Sequence, residues 1–304
     1  MQILCRILLG ATVLCTGSTA TFGQNKPAQT IPFRLTAYNN LVIPALLNQQ
    51  DTVRLMLHTA ASDVTITEEA ARGMKSLRFD GQVDSVQSWG GNANTADFSK
   101  HNQLRIGNQL LNDITIWKNQ HSGQETDGKA GLPLFEGQVI MVDFDRNQLK
   151  TSSKLPKNTN QYQKFKLEVQ DDMLFLQAVC LLGSDSVSHT FLIHTGYGGA
   201  VLLDDDFVKT HQLGQRIPIT GEKKLSDAYG NVLTTKKGTL PAFLLGNFKL
   251  ENMPVGFFEG AIGQQSISIL GSDVLKRFNW IIDADRSHIY LKPNALFKTP
   301  FATF

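Results

Sequence analysis

Two histidines occupy matching places in a motif that occurs twice, and their chemistry is the first thing the chain raises. His58 and Thr59 follow the apolar run Leu55, Met56, Leu57, and His194 and Thr195 follow Phe191, Leu192, Ile193. The copies read LMLHTAASDVTIT and FLIHTGYGGAVLL and lie 136 residues apart. A neutral imidazole offers one donor and one acceptor, with the tautomer free to adjust. It can serve as a base, and a singly protonated pair can share one proton. Protonating either ring disfavours protonating the other, so a doubly charged pair is unfavourable near neutral pH. Two imidazoles are also good first ligands for zinc or copper, but catalytic zinc usually takes three protein ligands and no spacing here matches a metal motif. No metal and no cofactor is therefore assigned. His101, His121, His189, His211 and His288 have no counterpart in the repeat and read as ordinary surface or half-buried histidines.

The elements that must position this pair repeat as well. Each half places a strand of β-formers before the His-Thr turn and another after it. Each also ends alike: AGLPLFEGQVIMVDFDRNQLK from Ala130 and LGSDVLKRFNWIIDADRSHIY from Leu270. Without gaps, Gly131 falls on Gly271, Asp143 on Asp283 and Arg146 on Arg286. Turns around Gly107 and Gly246, flanked by strand-like residues, lie between these landmarks. Three landmarks in one order in both halves predict an internal duplication. Helical periodicity is confined to short pieces at Glu68–Met74, Asp205–His211 and Asp273–Arg277, so the expected class is all-β. The paired Asp-x-Asp-Arg segments lack the oxygen ligands of a calcium loop and read as turns with Arg bonded to a carboxylate.

The 304 residues are 41% apolar and 18% charged, enough for a packed core of two ordinary domains. A net charge of +2 is too weak to argue for nucleic acid or an anionic membrane surface as a partner, and neither is expected. Residues 1–23 read as a secretory signal peptide: Arg6, an apolar stretch from Ile7 to Cys15, then small residues ending at Gly23. That run is too short to span a bilayer, so stable membrane insertion is not expected and the chain is read as exported, periplasmic or secreted. Cys5 and Cys15 leave with the signal, and Cys180 among apolar neighbours reads as core packing. The polar stretch 151–163 reads as a linker between lobes at 30–150 and 164–296.

Taken together, these landmarks resemble the pepsin and retropepsin superfamily of aspartic proteases, especially its exported bacterial two-lobed members. The family motif is an apolar strand ending in Asp-Thr-Gly, with a later apolar-apolar-Gly segment threading beside it. Here the turns are His58-Thr59-Ala60 and His194-Thr195-Gly196, and the later segments are Lys129-Ala130-Gly131 and Ile269-Leu270-Gly271. The resemblance implies a two-lobed pepsin-like fold of two related β-barrel-like lobes with short helices. It implies that Thr59 and Thr195 bond across the lobes, and that His58 and His194 stand where both catalytic aspartates belong. Gly196 permits close approach, which Ala60 does not.

Aspartic proteases work because two close carboxylates share a proton, and two imidazoles do not supply that negative charge. The expected function is thus a catalytically impaired pseudoprotease holding an extended peptide or unfolded protein segment in the interlobe cleft. The alternative is a peptidase that uses the His58–His194 pair, with or without a metal. Asp63, five residues after His58, would make the best remaining acid–base pair if it faced the cleft. A third reading is an interaction protein whose cleft is vestigial. The family's cleft is covered by a β-hairpin flap, and SWGGNAN with Trp89 and AYGN with Tyr229 occupy the hairpin positions. Trp89, Tyr229 and Tyr197 are the candidate peptide contacts, with Thr59, Thr195 and Gly196 at the floor.

Overall fold

A computed structural model describes residues 28–87, 93–226, 228–230, 232–258 and 265–302. The signal-like segment and Trp89 lie outside the described residues.

Lobe one contains β1 (Gln29–Pro32), β2 (Arg34–Leu35), β3 (Leu41–Leu47), β4 (Asp51–His58) and β5 (Val64–Thr67). After helix α1 (Glu68–Arg72) come β6 (Gly81–Gln87), β7 (Ala93–Ile106), β8 (Gln109–Asn119) and β9 (Gly128–Gly131). A 3-10 turn at Leu132–Phe135 leads into β10 (Val139–Asp143) and β11 (Gln148–Ser152). Lobe two opens with β12 (Gln163–Lys166), β13 (Glu168–Gln170), β14 (Met173–Leu182), β15 (Asp185–His194) and β16 (Val201–Leu202). Helices α2 (Asp205–Thr210) and α3 (Leu213–Arg216) precede β17 (Ile219–Ser226), β18 (Val232–Leu245) and β19 (Phe248–Phe257). The chain then runs through β20 (Ile269–Gly271), α4 (Ser272–Leu275), β21 (Phe278–Ile282) and β22 (His288–Pro293).

The all-β expectation holds. In lobe one the order is β2-β3-β4-β9-β5-β8-β7-β6, and an added β3–β7 pairing closes six of these strands into a ring. Lobe two repeats it as β13-β14-β15-β20-β16-β19-β18-β17, closed by β14–β18. Pairing senses match too: β4–β9 and β15–β20 are parallel, while β5–β9 and β16–β20 are antiparallel. A third sheet, β1-β11-β10-β21-β22-β12, takes three strands from each lobe and joins them through β10–β21, where Ile140 faces Ile282 and Val142 faces Trp280. The lobes are therefore coupled by a continuous backbone ladder.

Strand alternation decides which side chains reach the core. In β4, β5 and β9 of lobe one, Leu55, Leu57, Val64, Ile66 and Ala130 point into the ring and are buried. Met56, Thr65 and Lys129 alternate with them and lie on the other face. The three expected helical pieces all form, each a residue or two shorter than its pattern. Thr67 caps α1 by accepting from the Ala70 N–H, and Glu68 and Glu69 complement its first turn. The Asp-Arg turns divide: Arg146 bonds Asp143 at 2.9 Å as expected. Arg286 instead crosses to lobe one and donates to the Phe135 and Gln138 carbonyls, at 2.8 and 2.9 Å.

Candidate functional site

Both histidines are the last residues of their strands, and each strand is held in parallel register by the glycine segment beside it. His58 pairs with Gly131 and His194 with Gly271. Neither glycine has room for a side chain: a Cβ would lie 2.3 Å from the Ala61 carbonyl at Gly131 and 2.2 Å from that of Gly199 at Gly271. Both turns then close in the same way, Ala61 donating to the His58 carbonyl and Tyr197 to that of His194, at 3.3 and 3.1 Å.

The two threonines lock the turns face to face. Thr59 Oγ1 donates to the Ile193 carbonyl at 2.5 Å and accepts from the Thr195 N–H at 3.0 Å. Thr195 Oγ1 returns the pattern, donating to Leu57 and accepting from Thr59. Both threonines are buried, so each bond is made where an unmade one would cost about 1–3 kcal/mol. Ser272 extends the network by donating to the Thr195 carbonyl at 2.6 Å.

This frame brings the imidazoles together edge to face, with centroids 4.6 Å apart and planes at 64°. Ala60 donates its N–H to His58 Nδ1 at 3.2 Å, so the neutral ring carries its proton on Nε2. Nδ1 of His194 is buried with no well-aligned partner among the described residues. Burial pushes the His58 pKa well below its ordinary value, and the His194 and Lys129 charges add to this. Burial also lowers His194, to about 4, with its own carbonyl offsetting part and Lys129 contributing. At neutral pH both rings are uncharged. The pair can offer donors and acceptors, but it has neither the negative charge nor the shared carboxyl proton of a catalytic acid dyad.

Asp63 does not complete the pair. It sits in a bend before β5, exposed, with its carboxylate bonded by Ser62 at 2.8 Å. Among the described residues no group of three or more His, Cys, Asp or Glu is placed to hold a metal ion. A cavity of about 490 Å³ lined by Asp51, Arg54, Lys75 and Asp127 opens on the lobe-one surface and contains neither histidine.

Tyr197 folds back on lobe two, where its ring fills the space beside Gly199 and Gly271 and packs on Leu202, Phe258 and Ile269. Tyr229 lies half-buried in the turn between β17 and β18. That turn crosses to lobe one: the Ala228 carbonyl accepts from the Gln120 and His121 N–H groups at 3.0 and 3.1 Å. This contact had no sequence signal, because it is made by backbone atoms. Lys129 was also missed, although a lysine in LysAlaGly where the second copy has Ile269-Leu270-Gly271 was there to be read.

Residues 43–133, from β3 to just past β9, match the family model described as Aspartyl protease. That segment contains His58, Thr59 and Gly131 and is therefore aspartyl protease-like. No curated protein matches the chain.

Proposed function

We propose that this chain is a catalytically impaired relative of aspartyl proteases that binds an extended peptide or unfolded protein segment between its lobes. The observation that carries the reading is the neutral His58–His194 pair in an otherwise complete two-threonine frame. The frame preserves the position of the family's reacting pair, while burial keeps both imidazoles uncharged where acid chemistry needs a carboxylate. The matching strand orders of the lobes support descent of both from one duplicated plan. The signal-like first 23 residues support an exported, periplasmic or secreted chain.

Peptide capture tests this. A library of unstructured peptides is incubated with the mature chain, and retained peptides are identified by mass spectrometry. Retention that weakens in Trp89→Ala and Tyr229→Ala supports cleft binding. Retention unchanged in both variants favours an interaction protein with a vestigial cleft.

A further inference from the structure

The turn between β17 and β18 is docked on lobe one by main-chain atoms. Its Ala228 carbonyl takes both the Gln120 and the His121 N–H, at 3.0 and 3.1 Å, just past the end of β8. Gly230, at φ +88°, comes so close that a Cβ would stand 2.3 Å from Gln120 Oε1. A short way back along the hairpin, Leu225 and Leu233 face each other. They pack on the same lobe-two cluster as Tyr197, the residue whose N–H closes the His194 turn. The end of the hairpin thus rests on both lobes.

The part of lobe one that receives it is tied in turn to the chain just past His194. Asn40 packs on Gly123 and donates to the Gln124 carbonyl at 3.0 Å, so the two loops move as one unit. Asn39 of that unit donates to the Gly198 carbonyl and accepts from Lys276 Nζ, both at 2.8 Å. These ties are unlike the β10–β21 ladder, whose facing residues Ile140, Val142, Trp280 and Ile282 are buried. The turn is held by two N–H groups that share one acceptor, its residues Ala228, Tyr229 and Gly230 are half-buried, and Gln120 and His121 are exposed. Contacts with few buried apolar atoms and exposed main-chain bonds open locally, well below the global unfolding free energy. His58, by contrast, is 8% exposed and packs against Gly196 of the other lobe.

We propose that the β17–β18 turn is a releasable strap: undocked from Gln120 and His121 it admits the peptide to the His58–His194 pair, and docked it shuts the pair in. This regulation rests on the peptide-binding reading above. The pair stays assembled while the strap is open, because the threonine bonds and the β10–β21 ladder join the lobes without it.

A disulfide tests this. Gln120→Cys/Ala228→Cys joins two residues already linked main chain to main chain, within the reach of an S–S bond. Cys180, the one other cysteine after residue 23, is fully buried and does not compete. Oxidised and reduced samples of this protein are treated with diethyl pyrocarbonate, which acylates neutral imidazole. Labelling of His58 and His194 is read by mass spectrometry against the exposed His101. The expected result is labelling of the pair slowed about tenfold by oxidation and restored by reduction, with His101 unchanged and peptide association slowed in parallel. Equal labelling of the pair in both forms overturns the strap, whether or not a peptide binds. Slowed labelling with no peptide bound by either form supports the strap and overturns the peptide reading alone. Amide exchange in the wild-type chain needs no variant. The Gln120 and His121 amides should exchange through a local opening, faster than those of Ile140 and Val142, and exchange as slow as the ladder's overturns the strap.

Discussion

Gly196 and His58 touch across the lobe boundary: a Cβ on Gly196 would stand 2.3 Å from both Cδ2 and Nε2 of the His58 ring. The glycine of the second turn therefore sets how far the first histidine reaches into the cleft. Gly196→Ala must displace the ring or part the turns, an overpacking cost of about 1–3 kcal/mol. Urea unfolding measures the loss, and the His58 imidazole resonances should move in the folded variant.

The threonine bonds act as a unit. Thr59→Val and Thr195→Val each remove one hydroxyl that serves a carbonyl and an N–H of the opposite turn. Each should cost about 1–3 kcal/mol by stranding buried partners. A double-mutant cycle by chemical denaturation should show the pair to be markedly non-additive.

Stability should fall in mild acid. The folded-state pKa of His194 is about 4, below its ordinary value, so the unfolded chain binds more protons between those limits. The contribution is fully present above about pH 6.5 and drains away towards pH 4, on the order of 3 kcal/mol for this one residue. The shift at His58 has the same sign. Unfolding free energies from pH 7.5 to 4 should decline less steeply in the His58→Gln/His194→Gln protein.

Arg277 anchors the chain end. Fully buried, it bonds Asp273 and donates to the Leu296, Phe297, Thr299 and Pro300 carbonyls. Arg277→Met leaves Asp273 buried with Lys276 as its remaining ion-pair partner. A loss of about 3–5 kcal/mol is expected. Proteolysis of the tail from Asn294 onward should quicken in parallel.

Much of this was legible in the chain because it repeats. The apolar runs before His58 and His194 and the glycines at 131 and 271 point to one strand plan in each half, and the threonine bonds are what the resemblance to two-lobed aspartic proteases implies. Other features depend on register or on main-chain atoms. Lys129 points away from the lobe-one core because Ala130, its neighbour in the strand, is committed to it. Asp63 reads as part of a strand yet lies in the bend before it, which turns its carboxylate to solvent. Helix α3 spans only Leu213–Arg216, too short for a period to show. Nothing in GlnHis at 120–121 signals that its N–H groups receive the far hairpin.

The proposed function is that a neutral histidine pair holds its ligand without cutting it. Its most direct test is cleavage of retained peptides by the mature chain from pH 3.5 to 7.5, with and without chelator, beside His58→Ala, His194→Ala and His58→Asp/His194→Asp. The prediction is no cleavage above the alanine backgrounds at any pH, with acid-dependent cleavage arising only when both aspartates are supplied. Wild-type cleavage that vanishes in both alanine variants would contradict it and make the histidines a working peptidase pair, with the chelator deciding whether a metal takes part.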